Sequence, residues 1–153
     1  MKSKVEFSKR VNIVSVKMVK EKSISYTNRK IGSPYDAHIL CKDFLENEDR
    51  EKLIVVCLDT KNQPTSINIA SIGTINSSLV HPREIFKTAI LSNSNSILVA
   101  HNHSSGNPTP SEEDINITNR LQEVGEIIGI KLIDHIIIGE DDNFISLKEN
   151  SYI

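Results

Sequence analysis

The chain has 153 residues, 38% hydrophobic and 25% charged, which is the composition and size of one globular domain. A fold of about 150 residues hides roughly 70% of its unfolded surface, so it needs neither disulfides nor metal merely to hold together, and any metal is expected to be functional. Two cysteines without a CxxC pair exclude a disulfide framework, and no apolar run is long enough to span a membrane.

The net charge of −2 conceals an asymmetry, because residues 1–30 hold nine of the 18 Lys/Arg but only Glu6 and Glu21 of the 20 acids. Residues 11–26 alternate apolar and polar side chains and predict a strand pair, giving a basic N-terminal strand segment over residues 1–30. Its lysines fit a solvated edge strand that resists aggregation, or a contact for acidic partners or nucleic acid through Lys2, Lys4, Lys9 and Arg10. The N-terminus has no h-region followed by a small-residue cleavage site, so a cytoplasmic protein is expected.

Ser33 as N-cap, Pro34 at the first helical position and Asp36 in the first turn open a helix. Ala37, Leu40, Cys41, Phe44 and Leu45 recur along it at helical spacing, and His38 reads as a surface residue. Residues 53–59 form a short apolar run closed by turn residues, hence a buried strand, with residues 65–75 as its antiparallel neighbour. Together these two predict the centre of a sheet, and loop 59–66 is long enough to cover a cleft.

Pro82 starts a second helix that carries Ile85, Phe86 and Ala89, and residues 96–100 form another apolar strand that runs into a Gly/Pro-rich loop. Ser111 then caps a helix to about Gly129, with Glu112, Glu113 and Asp114 in its first turn and Leu121, Val124 and Ile128 facing inward. Residues 131–139 and a short strand near 144–147 complete the order. Cys41 and Cys57 read as buried, reduced thiols. A single mixed α/β domain over residues 1–153 follows, with a central mixed β-sheet flanked by helices.

His101 and His103 stand at i and i+2 where the buried strand runs out, so both imidazoles point to the same side. The loop that follows holds Gly106, Pro108 and Pro110, which limit its freedom and keep Asp114 within reach. Two imidazole nitrogens and one carboxylate oxygen, with a fourth position open, describe a catalytic zinc site. Ser111 and Asp114, three residues apart, equally describe a capping box. Asp134 and His135 alternate to opposite faces of their strand, so His135 is expected beside the site or in the core, outside the metal set.

The segment HNHSSGNPTPSEED resembles the JAMM signature, HxH followed by seven residues and SxxD, at all four positions. Around it, DREKLIVVCLD, IGTINSSLVHPREIF and LIDHIIIG are similar to successive blocks of the RadC-like family of JAMM (MPN) proteins, and the likeness covers about residues 33–148. The family's usual HNHPSG stands here as HNHSSG, with Ser104 for proline and every ligand position intact. The helix-hairpin-helix region of longer members has no counterpart in these residues, which lessens the expectation of DNA binding.

The resemblance implies a cytidine-deaminase-like α/β fold, one Zn²⁺ held by His101, His103 and Asp114, and hydrolysis of an amide or isopeptide bond in a peptide or protein substrate. It also implies a carboxylate general base upstream of the histidines. Glu51 matches by position, and Glu84 is its rival. Ser111 can donate to the oxyanion if its hydroxyl faces the metal, or serve only as a helix cap. His81 and Arg83 can contact substrate or stay at the surface.

Three functions compete: a zinc metallopeptidase, a DNA-processing protein, and a non-catalytic interaction module. A single His₂Asp site is poorer in carboxylates than two-metal nucleases, and an open metal position has no use in a scaffold. The HxE and PCxxC pair of zinc deaminases is absent, as is HExxH.

Overall fold

Apolar runs bounded by turn residues become strands, and capped amphipathic runs become helices. The computed structural model describes residues 8–75 and 79–153. Its elements are α1 (Pro34–Leu45), β1 (Lys52–Leu58), β2 (Pro64–Ile72), α2 (Pro82–Leu91), β3 (Ser96–Asn102), α3 (Glu112–Ile128), β4 (Lys131–Ile138) and β5 (Phe144–Ser146). The helix starts follow local chemistry: Ser33 Oγ accepts from Asp36 N at 3.2 Å at the head of α1, and prolines occupy the first turns of α1 and α2.

The strands form one mixed sheet in the order β2-β1-β3-β4-β5. β1 pairs antiparallel with both β2 and β3, β3 and β4 are parallel across the α3 crossover, and β5 closes antiparallel on β4. The expected pairing of β1 with β2 holds, but β2 is an edge and β3 is the centre. The sheet is covered on both sides. Leu53, Val55, Cys57, Ile97 and Val99 share a core with Ile85, Phe86, Ile117 and Leu121 of α2 and α3. Ile54, Val56, Leu98, Ala100 and Ile136 share the other with Ala37, Leu40 and Cys41 of α1. Both cysteines are free and buried, and burial pushes the Cys41 thiol up to about 12.

Several expectations need correction. The strand pair over 11–26 does not form: residues 8–30 belong to no helix or strand, and Val11, Ile13, Val14, Val16 and Val19 are exposed. Alternation prepares a strand, but only a hydrogen-bonded partner makes one. Lys2, Lys4 and Glu6 lie outside the described residues. The turn after β1 cannot cover the histidines, because Leu58 pairs with Ser96 whereas Leu53 pairs with His101, at the other end of the same ladder. His38 is buried, stacked on Phe144 at 4.4 Å, because α1 lies flat on the sheet near β4. Ile128 is exposed, since α3 ends there on Gly129 in the left-handed conformation. No helix among the described residues is long and apolar enough to cross a membrane.

Candidate metal centre

His101 follows Ile97 and Val99 on the odd-numbered face of β3, the face beneath α2 and α3. His103, one residue past the strand, comes off the same side. Asp114 arrives from the opposite direction in the first turn of α3, where Ser111 Oγ accepts from Asp114 N at 3.1 Å and Asp114 Oδ2 accepts from Ser111 N at 2.8 Å. The connecting loop is pinned to the end of β4: His103 N donates to Ile138 O, and Glu140 N donates to Gly106 O, with Gly106 at φ +82.

These supports bring the three predicted ligands together. His101 Nε2 lies 3.2 Å from Asp114 Oδ1, and His103 Nε2 lies 3.0 Å from Asp114 Oδ2. One ligand atom from each of the three residues falls within 4.8 Å of the others. His103 Nδ1 donates to Asn107 O at 2.8 Å, since a carbonyl only accepts, so its Nε2 is the nitrogen turned to the site. His101 Nε2 is fully buried and makes no hydrogen bond of acceptable geometry, although Asp114 is close. A buried polar atom without a partner is costly, and a cation shared with the adjacent carboxylate and imidazole relieves it.

The electrostatics agree with that fit. Burial pushes the Asp114 carboxyl up, but the adjacent His101 and His103 imidazoles and the bond from Ser111 N outweigh it and hold the group well below the usual carboxylate range. The Asp114 bond raises the His103 imidazole against the effect of burial, and the Asn107 carbonyl and the Asp114 and Glu51 charges add to the rise. Both directions favour positive charge beside the Asp114 carboxylate. Two imidazoles and a carboxylate are a donor set that suits zinc.

Glu51 stands immediately before β1, half-buried, at the sheet end where Leu53 pairs with His101. It lines a cleft of about 750 Å³ together with His103, Ser111, Asp114, Glu113, Ile75 and Leu79. Its Oε2 accepts from Ile75 N at 3.4 Å and its carbonyl accepts from Gly73 N at 2.8 Å. Glu84 is elsewhere, paired with Lys87 at 3.0 Å on the exposed side of α2, and does not line the cleft. His81 occupies the N-cap position of α2 without a capping hydrogen bond from its side chain, and neither it nor Arg83 lines the cleft. Ser111 serves as the cap and lines the cleft at once.

Sequence reasoning overlooked two supports. Asn102, between the histidines, points the other way and clamps the approach to β1: its Oδ1 accepts from Lys52 N at 2.7 Å and its Nδ2 donates to Arg50 O at 3.0 Å. Strand alternation at position 102 was the available signal. Thr118, four residues after Asp114 on α3, lies 2.6 Å from His135 Nδ1, and His135 Nε2 lies 2.7 Å from His101 Nδ1. Asp134 diverges from His135 as expected, its carboxylate accepting from Ser146 Oγ, His135 N and Lys148 N.

A mixed sheet whose central strand delivers a His-x-His pair to a carboxylate at a helix start defines a JAB-type domain with a candidate metal site. The chain belongs to the RadC-like JAB domain family, whose model matches residues 31–152. It is similar to a UPF0758 protein of Methanosarcina barkeri, 44% identical over 133 residues that make up 87% of this chain and 58% of that protein. A UPF0758 protein of Desulfitobacterium hafniense is 52% identical over 80% of this chain and 54% of its own length. One from Clostridium botulinum is 53% identical over 81% and 54%. The chain spans about half the length of the curated relatives it matches.

Proposed function

We propose that the chain is a zinc-dependent hydrolase that cleaves an amide or isopeptide bond in a peptide or protein. One observation carries this reading: a buried, unpartnered His101 Nε2 converges with His103 and Asp114 beside a carboxylate-lined cleft. The JAB family includes zinc metallohydrolases, which raises the reading further. Zinc in such a site lowers the pKa of a bound water to about 7 and polarises the substrate carbonyl.

Each protein group then has a task that its position allows. Glu51 takes the proton of the attacking water and returns it to the leaving amine. Ser111 Oγ accepts from Asp114 N, which leaves its own proton free to stabilise oxyanion charge on the substrate. Ile75 and Leu79 supply apolar surface for a side chain beside the scissile bond.

Among the described residues, the cleft lining contains Glu51, Glu113 and Asp114 and no Lys or Arg. That charge suits a neutral or cationic leaving group, such as a lysine amine, and repels a phosphodiester backbone. The peptide reading is therefore preferred over nuclease chemistry. In a panel of fluorogenic peptides and ε-lysyl isopeptides, Glu51→Gln is expected to retain zinc and lose about 10²- to 10⁴-fold in turnover. Full activity in Glu51→Gln removes Glu51 as the base, and zinc-loaded wild type that cleaves nothing in the panel contradicts hydrolysis.

A further inference from the structure

Behind His101 runs a chain of short contacts sealed from solvent. Thr118 Oγ1 lies 2.6 Å from Asp114 O and 2.6 Å from His135 Nδ1, and His135 Nε2 lies 2.7 Å from His101 Nδ1. Thr118, His135 and His101 are all 0% exposed, so these contacts must be satisfied among themselves.

Their proton order follows from what each atom can do. A carbonyl oxygen only accepts, so the single hydroxyl proton of Thr118 lies on the bond to Asp114 O. The Thr118 oxygen is left to accept, and His135 Nδ1 must carry the proton it donates. His135 is wholly buried and its ring nitrogens meet a hydroxyl and an imidazole rather than a carboxylate, a setting that disfavours a charged ring. With its one proton on Nδ1, its Nε2 is bare, and the proton in the bond to His101 belongs to His101 Nδ1. In the neutral ring, His101 Nε2 is then a free lone pair, turned towards Asp114.

We propose that Thr118 and His135 are positioning residues that lock His101 in its Nδ1–H tautomer and so present Nε2 as a ligand atom. The purpose of this relay rests on the metal reading above, but the tautomer itself does not. The relay returns to the backbone of Asp114, so one threonine on α3 ties the orientation of one proposed ligand to the position of another. Its existence depends on a shift in the sheet: Ile97 pairs with Leu132 but Leu98 pairs with Asp134, an extra residue in β4 that sets His135 beside Val99 on the α3 face.

The direct test is ¹⁵N NMR of the histidine rings in the metal-free full chain at mildly alkaline pH. His101 is expected with Nδ1 protonated and Nε2 bare, and a proton on His101 Nε2 overturns the proposal. Zinc affinity, measured by competition with a chromophoric chelator, adds a second reading. Thr118→Val is expected to bind zinc about 10- to 100-fold more weakly, whereas Thr118→Ser, which keeps the hydroxyl, stays near wild type. Wild-type affinity in a folded Thr118→Val counts against the relay. If Thr118→Val does not fold, the wild-type tautomer decides. Wild type with the expected tautomer and no zinc binding upholds the relay and fells the metal reading instead.

Discussion

Asp114 shows how closely fold and site share their atoms. The same Oδ2 accepts from Ser111 N in the capping box and faces His103, while Oδ1 faces His101. A different economy governs His38, whose ring is stacked on Phe144 with neither nitrogen in a hydrogen bond. Burial lowers its pKa below 6.5, and Asp142 at 3.7 Å offsets only part of that. The unfolded chain, with a pKa near 6.5, therefore binds the proton that the folded chain refuses. Stability from this residue is level above that pH and falls as pH drops through about 6.5 towards the lowered folded value. His38→Leu is expected to lose part of the fall in unfolding free energy between neutral and mildly acidic pH. Urea titrations at both pH values measure it, and an unchanged pH dependence in the variant contradicts the assignment.

Among the elements, the loop from His103 to Asp114 depends on its neighbour. A Cβ added at Gly139 would collide with the Gly106 carbonyl and come within 2.7 Å of Pro108 Cδ, both in that loop. Gly139→Ala should push the loop off the end of β4, lower the thermal midpoint and weaken zinc binding together. Normal zinc affinity in a destabilised variant would mean that the loop holds Asp114 without this contact. The three helices were legible because Ser33, Pro34, Pro82 and Ser111 announce their starts, and the HxH pair and Asp114 because their spacing is local. What stayed hidden depends on register between distant segments. His135 lies beside the site as expected, but its contact with His101 Nδ1 needs the extra residue in β4, and the clamp of Asn102 on residues 50–52 needs the pairing of β1 with β3. His38 was misread because its neighbour on β5 is remote in sequence.

For the molecule as a whole, the core is closed without residues 8–30. Ile31 is the first buried side chain of the described chain, and its N–H bonds Asn62 O at 2.9 Å. Val11, Ile13, Val14 and Val16 are largely exposed, so replacing any one of them with Ser is expected to change stability by about 0.5 kcal/mol or less. A larger loss in chemical denaturation would show that this segment packs on the domain. The alternating apolar residues that predicted strands there are real, but among the described residues the sheet edges leave them unpaired.

The central claim is that His101, His103 and Asp114 hold one zinc ion. Elemental analysis of wild type and Asp114→Ala, both purified without added metal, tests it most directly. Near-stoichiometric zinc in wild type that falls sharply in Asp114→Ala is the predicted result; metal absent from both, or equally present in both, contradicts it.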